Sequence, residues 1–288
     1  MNRANPGLSL CWGSLLGADL QTLAAQASRV GFTGITLNSA IYEDALASGL
    51  RREDIPLLLA DLGLQVSNID PLFSWFPNTA PLPGDDVIAR SSCATVDQVF
   101  DLALHLGTDL INAPLGLAQP DSEAAIVDAF GALCNRAARH GLRISLEFMP
   151  FNAVDSLNTA HRIVKSAGCI NGGIMFDCWH HHRTGGDPDD LLTIRGDKIF
   201  AVQLDDAAAT PMLDVMEETL NYRLLPGEGC IDLPSTLSNL RTIKAVPRFD
   251  VEVFSVPLRD RPIEQQADAL FTSSASLFQP LAPPNSVS

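Results

Sequence analysis

No glycine-rich phosphate loop follows any apolar run of this sequence; neither GxGxxG nor GxxxxGK[ST] occurs there. The usual reason for an open, doubly wound nucleotide-binding sheet is therefore missing. No stretch of about 18 apolar residues is present, so a membrane-spanning helix is not expected. Positive charge is scarce: 19 Lys and Arg face 34 Asp and Glu, for a formal net charge of −15. Such a surface repels phosphate backbones and anionic membrane faces, which argues against nucleic-acid and membrane partners. The six cysteines, Cys11, Cys93, Cys134, Cys169, Cys178 and Cys230, contain no CxxC pair. Reduced thiols in a cytoplasmic protein are the simplest expectation. The apolar run Leu8–Leu16 behind Arg3 faintly suggests a leader, but it lacks a small-residue cleavage site and fits a first strand better.

What is present is alternation. The 288 residues are 46% hydrophobic and 18% charged, an ordinary globular balance. Short apolar runs recur at Leu8–Cys11, Gly34–Asn38, Gln65–Asp70, Leu110–Ala113, Ile144–Phe148, Gly173–Asp177, Phe200–Leu204 and Asp250–Phe254. Several are continuously apolar, as parallel strands buried on both faces should be. Helical patterns fall between them at Asp19–Val30, Arg52–Leu62, Ser92–Leu106, Asp121–His140, Ser156–Ala167, Pro188–Ile194, Pro234–Ile243 and Ile263–Phe278. Glycines close several of these, and Asp187 before Pro188 is a good helix start. Eight strand–helix units in a chain of this length predict an α/β protein with a single (β/α)8 TIM barrel. The expected barrel spans residues 1–279, with a flexible tail at 280–288. Two segments break the rhythm: the Pro- and aromatic-rich loop Asp70–Asp86, a candidate lid, and Ala207–Gly229.

In a barrel, side chains at the carboxyl ends of the strands meet at one mouth. Four such ends carry polar residues where apolar ones would pack better: Glu147, Asp177, Gln203 and Glu252. Three buried negative charges need compensation, and one divalent cation supplies it economically. Oxygen ligands suit Mn²⁺ or Mg²⁺ better than Zn²⁺. Each acid singly could instead pair with Arg or Lys, or cap a helix. His180 stands three residues after Asp177, within reach of a bound substrate, whereas His181 and His182 read as loop features. Asn38, Asp70 and Asn112 end other strands, where turn roles compete with pocket roles. Trp75, Phe76 and Trp179 read equally as a pocket wall or as core.

This set resembles the xylose isomerase-like TIM-barrel superfamily of sugar isomerases and epimerases. Its pattern is Glu, then Asp followed three residues on by His, then His or Gln, then Glu, on strands five to eight. The segment Arg223-Leu224-Leu225-Pro226-Gly227-Glu228-Gly229 resembles the P-G-[ED]-G loop of many members. The resemblance implies one divalent metal (Mn²⁺, Mg²⁺ or Co²⁺) and a small polyol or hydroxy-ketone substrate. Three departures separate this chain from ketose 3-epimerases: Gln203 replaces a His, Ala153 replaces a second Glu, and Thr210 replaces an Arg. At Gln203 the dehydratases acting on 3-dehydroshikimate and inosose are closer.

The expected chemistry is proton abstraction beside a carbonyl. Glu147 and Glu252 would move protons, His180 would serve a leaving or carbonyl oxygen, and Arg223, Asn112 and Trp179 would contact substrate. Reprotonation gives an isomerase or epimerase; loss of a β-hydroxyl gives a dehydratase. A DNA hydrolase of the related endonuclease branch would need many more His ligands than the six present. A non-catalytic binding barrel is the remaining alternative. A homo-oligomer is compatible with the sequence.

Overall fold

The structure is a computed structural model that describes residues 7–279. Arg3 and the expected tail at 280–288 lie outside the described residues. Eight parallel strands close into a barrel in chain order. They are β1 Leu8–Leu10, β2 Gly34–Leu37, β3 Gln65–Ile69, β4 Leu110–Pro114, β5 Arg143–Glu147, β6 Gly172–Asp177, β7 Ile199–Leu204 and β8 Arg248–Val251. Each falls on an expected run. β8 ends at Val251 rather than Phe254, yet Glu252 N still donates to Leu204 O at 3.1 Å, so the ladder reaches that residue.

Alternate residues of a strand face opposite sides. Ile144, Leu146, Ile174, Phe176, Val202, Leu204 and Val251 are fully buried in the main core, with helix residues such as Phe130, Leu157 and Ile163. The intervening residues form the other set: Ser145 and Glu147, Met175 and Asp177, Ala201 and Gln203, Asp250 and Glu252. Leu110, Met175, Phe200 and Ala201 make a separate small apolar cluster. Met175 and Ala201 each stand two residues before a polar strand end, which places an apolar layer beneath a polar one. Glu147 is in register with Met175, Asp177 with Gln203, and Gln203 with Asp250. This stagger between neighbours is what closing a barrel requires.

The helices follow the expected pattern with local differences. Gly107 and Gly168 end their helices at φ 73° and 66°, left-handed positions where glycine carries no Cβ penalty. Asp187 caps a short 3₁₀ turn at Pro188–Thr193. The expected helix Ser92–Leu106 begins only at Val96, and a separate short helix, Val87–Ser91, precedes it. Thr95 starts the longer one through reciprocal hydrogen bonds with Gln98. An additional helix, Ser39–Ala47, begins at Asn38, whose side chain accepts from Ile41 N at 2.8 Å. Asn38 therefore has the turn role rather than a pocket role.

The Asp70–Asp86 loop is anchored. Trp75 is buried, donates to Pro114 O at 2.7 Å and meets Phe130 edge-on at 6.1 Å. Trp75 is thus core rather than pocket wall. Between Ala207 and Gly229 the chain forms a helix, Val215–Asn221, and two isolated bridges, Asp206 to Leu224 and Tyr222 to Ser255. The Asp206 carboxylate accepts from the backbone N–H groups of Ala207, Gly227, Gly229 and Ile231 at 2.8–3.0 Å. That clamp on the Pro226–Gly229 turn delivers the neighbouring Arg223 into the barrel mouth. Among the described residues, no helix is long and apolar enough to cross a membrane.

Candidate active site

Glu147 ends β5 and Asp177 ends β6, and both are buried. Asp177 also caps the helix Cys178–Arg183: its Oδ1 accepts from His180 N at 2.6 Å. The same turn brings the His180 ring back over the strand ends. Its Nε2 lies 3.5 Å from Glu147 Oε1 and 3.8 Å from Asp177 Oδ2. Oxygen and nitrogen atoms of Glu147, Asp177 and His180 lie within 4.8 Å of one another, close enough to share one cation. Cys11, Asp70 and Glu252 form a second such group.

Two chains of hydrogen bonds tie the groups together. Asn112 Nδ2 donates to Glu147 Oε2 at 2.5 Å and to Asp70 Oδ1 at 2.9 Å, and Gln203 Nε2 donates to Asp70 Oδ2 at 3.3 Å. On the other side, Arg223 Nη1 donates to Asp177 Oδ2 at 2.7 Å, Asp205 Oδ2 at 2.5 Å and Glu252 Oε2 at 3.2 Å. Cys11 Sγ donates to Glu252 Oε1 at 3.1 Å. Glu147 and Gln203 thus share the first chain and Asp177 and Glu252 the second, with His180 between the two; Glu252 falls in the group of Cys11 and Asp70, apart from that of Glu147 and Asp177.

Three residues have unexpected places. Arg223, expected to reach substrate, is buried with its guanidinium occupied by three acids. Trp179 is fully buried and packs its ring 5.3 Å from the Arg223 guanidinium and 5.4 Å from the His180 ring. It supports those two groups instead of lining open space. Asn112 bridges two carboxylates. Asp70, Asp205 and Cys11 join the cluster although none stood out as a ligand in the sequence. Asp205 is two residues after Gln203, on the same face of the chain, and Asp70 directly follows β3. Strand parity was the signal that could have found both. The Phe151 ring, 36% exposed, sits 5.9 Å from the His180 ring, at the lip.

The electrostatics are unbalanced. Asp70, Glu147, Asp177, Asp205 and Glu252 are all buried, and Arg223 is the one guanidinium bonded to them among the described residues. Burial, then the nearby Glu147, pushes the Asp70 carboxyl well above the usual range. Burial and Asp177 do the same to Asp205. Burial raises Glu252 well above its ordinary value despite Arg223, with Asp70 and Glu147 adding to the rise. Burial also opposes ionisation of Asp177, but Arg223 and His180 outweigh it and hold that carboxyl low. Burial and the adjacent Glu252 raise the Cys11 thiol, which stays protonated.

Several buried polar atoms have no hydrogen-bond partner among the described residues: Gln203 Oε1, His180 Nδ1, Asp205 Oδ1 and Trp179 Nε1. Unsatisfied buried acceptors beside surplus negative charge fit a divalent cation held by oxygen ligands. The His180 ring faces two demands. Arg223 Nη2, at 3.4 Å, can only donate, whereas Glu147 can only accept. Nε2 can satisfy one of them at a time.

A cavity of about 410 Å³ opens at the opposite, amino-terminal end, lined in part by Ser9, Gln65, Ser67 and Arg248. None of the clustered acids borders it.

A family model described as a xylose isomerase-like TIM barrel matches residues 24–273. The 3-dehydroshikimate dehydratase of Pseudomonas aeruginosa is 30% identical over 264 residues, which cover 90% of this chain and 40% of that protein. The chain therefore spans about two fifths of that relative's length. The inosose isomerase of Bacillus licheniformis is 33% identical over 136 residues, 46% of this chain and 48% of that protein. The crystal structure of the IolI protein with a binding zinc atom superimposes with a TM-score of 0.81 over 94% of this chain and 98% of that one. At 20% identity, that likeness concerns the fold.

Proposed function

The chain belongs to the xylose isomerase-like TIM barrel family, and on that footing we propose that it is a divalent-metal-dependent enzyme that removes a proton beside the carbonyl of a small polyhydroxylated ketone or sugar. Glu147, Asp177, Gln203 through its free Oε1, and Glu252 would hold the metal. The observation that carries this reading is the surplus of buried acids over guanidinium groups at the barrel mouth. Mn²⁺ and Mg²⁺ suit the oxygen donors best, and Co²⁺ is compatible. A bound divalent ion would supply Lewis acidity to a carbonyl oxygen.

The chain's own residues supply the rest. Glu147 and Glu252 offer carboxylate oxygens as proton acceptors at the mouth. Without a cation, burial raises Glu252 despite Arg223, with Asp70 and Glu147 adding to the rise, and a bound divalent ion would oppose that rise. His180 Nε2, 3.5 Å from Glu147 Oε1, is placed to pass a proton to an oxygen of the substrate. Arg223 and Asn112 hold the carboxylates in position. Phe151 offers an apolar edge beside His180.

Isomerisation, epimerisation and dehydration share the first step. Two observations favour the dehydratase outcome on a cyclic hydroxy-ketone. Gln203 stands where ketose 3-epimerases carry His, and the match to a 3-dehydroshikimate dehydratase runs through 90% of this chain. The test is a panel of keto-polyols and cyclic hydroxy-ketones, 3-dehydroshikimate and inosose included, in deuterated water with Mn²⁺. Deuterium entering a recovered compound supports proton abstraction. A dehydrated product identifies the lyase outcome. A panel that shows neither contradicts the reading.

A further inference from the structure

We propose that Asp70 is a positioning residue that turns the Gln203 amide so that its carbonyl oxygen, not its NH₂, faces the cation. The proposal rests on the metal-site reading above. It starts from Asn112, whose Nδ2 serves two carboxylates, Glu147 Oε2 at 2.5 Å and Asp70 Oδ1 at 2.9 Å. That amide cannot flip without turning its oxygen on two acids. The remaining oxygen of Asp70, Oδ2, accepts from Gln203 Nε2 at 3.3 Å. Gln203 Oε1 is left buried and without a partner among the described residues. A glutamine has no intrinsic preference for which end it presents, and only the oxygen can bind a metal ion. Asp70 supplies that preference here and links the orientation of Gln203 to that of Glu147.

The substitution Asp70→Asn isolates this role at nearly constant volume. Asn112 still needs an acceptor, so Oδ1 of the new side chain would turn toward it. Only an NH₂ group would then face Gln203, and the Gln203 amide would reverse, presenting nitrogen to the cation. The experiment is calorimetric titration of metal-stripped protein with Mn²⁺, with the visible absorption of the Co²⁺-loaded protein as a second readout. Asp70→Asn should weaken Mn²⁺ binding about 10- to 100-fold, the range for partners that orient metal ligands. It should also change the Co²⁺ spectrum. In a Gln203→Ala background the same substitution should cost several-fold less, only what the lost charge is worth, because the amide it orients is gone. Asp70→Ser is the second variant, judged by the same comparison, and thermal unfolding identifies the variants that fold. Equal losses in both backgrounds would overturn the proposal, because Asp70 would then act by its charge or as a ligand. Unchanged affinity in Asp70→Asn would overturn it too. Wild-type protein that binds no Mn²⁺ would overturn the metal-site reading, and this proposal with it.

Discussion

The two ends of the barrel handle acid in opposite ways, Asp250 being buried and Asp109 half-buried at the amino end. At the amino end, Asp109 meets the guanidinium groups of both Arg143 and Arg248. Asp250 accepts from Ser67 Oγ at 2.6 Å and Asn68 Nδ2 at 2.7 Å. Both donors reach it because β3 carries a bulge: Ile35 pairs with Val66 but Leu37 with Ile69, so one extra residue falls at Ser67–Asn68. Two acids thus face two guanidiniums and two neutral donors. At the carboxyl end, five buried acids share one guanidinium, which bonds three of them, Asp177, Asp205 and Glu252, while Asp70 and Glu147 meet only neutral amides and His180. Asp250 and Glu252 stand two residues apart on the same face, yet one is matched and the other is in surplus. Folding alone gives no reason for that surplus, since an uncompensated buried charge costs several kcal/mol. A cation does give one.

Four experiments can break or sharpen this contrast. The largest expected effect is on activity. Glu147→Gln or Glu252→Gln should lower kcat by about 10³-fold or more, equivalent to ~4 kcal/mol, and should abolish metal retention as well. Steady-state rates and metal analysis on the substrate identified by the panel check both together. Wild-type turnover in either variant would remove that glutamate from the site.

Next is Arg223→Met. Removing one partner of a buried ion pair costs about 3–5 kcal/mol. The metal-stripped variant should lose stability of that order in chemical denaturation. Saturating Mn²⁺ should recover part of it, because the cation replaces the missing positive charge. A loss below about 1 kcal/mol would show that Arg223 does not balance the acids.

Third is a pH dependence. Asp70, Asp205 and Glu252 have folded values raised above their unfolded ones. Their contribution is fully present below the ordinary carboxylate range and is lost as pH rises through the raised values. The metal-stripped protein should therefore melt lower as pH rises above the ordinary carboxylate range. The gain in Tm on adding Mn²⁺ should grow with that rise, and a gain independent of pH would contradict the charge argument.

The smallest effect belongs to the matched end. Burial pushes Asp250 up to about 6. Its stabilising contribution is lost between about pH 4 and 6, by at most roughly 3 kcal/mol. Asp250→Asn should flatten that part of the stability profile and leave metal binding unchanged. Impaired Mn²⁺ binding in this variant would mean that the two ends are not separate.

The strands were legible because a parallel strand buried on both faces is an apolar run, which few other structures produce. Glu147, Asp177, Gln203 and Glu252 were legible as exceptions at the ends of such runs. Arg223 was only half visible. The sequence placed it beside the Pro226–Gly229 turn, but its entry into the acid cluster depends on the Asp206 carboxylate gathering four backbone N–H groups, a long-range arrangement. The helix Ser39–Ala47 escaped notice because its cap, Asn38, also reads as a strand end. The role of Asp70 depends on two amides from other strands, which no local pattern reveals.

The central claim is that surplus charge at the carboxyl end exists to hold one divalent cation. Titrating metal-stripped wild-type protein with Mn²⁺ tests it most directly. The account predicts saturable binding of a single ion per chain that disappears in the double variant Glu147→Gln, Glu252→Gln. Absence of saturable binding, or binding that survives intact in the double variant, would contradict it.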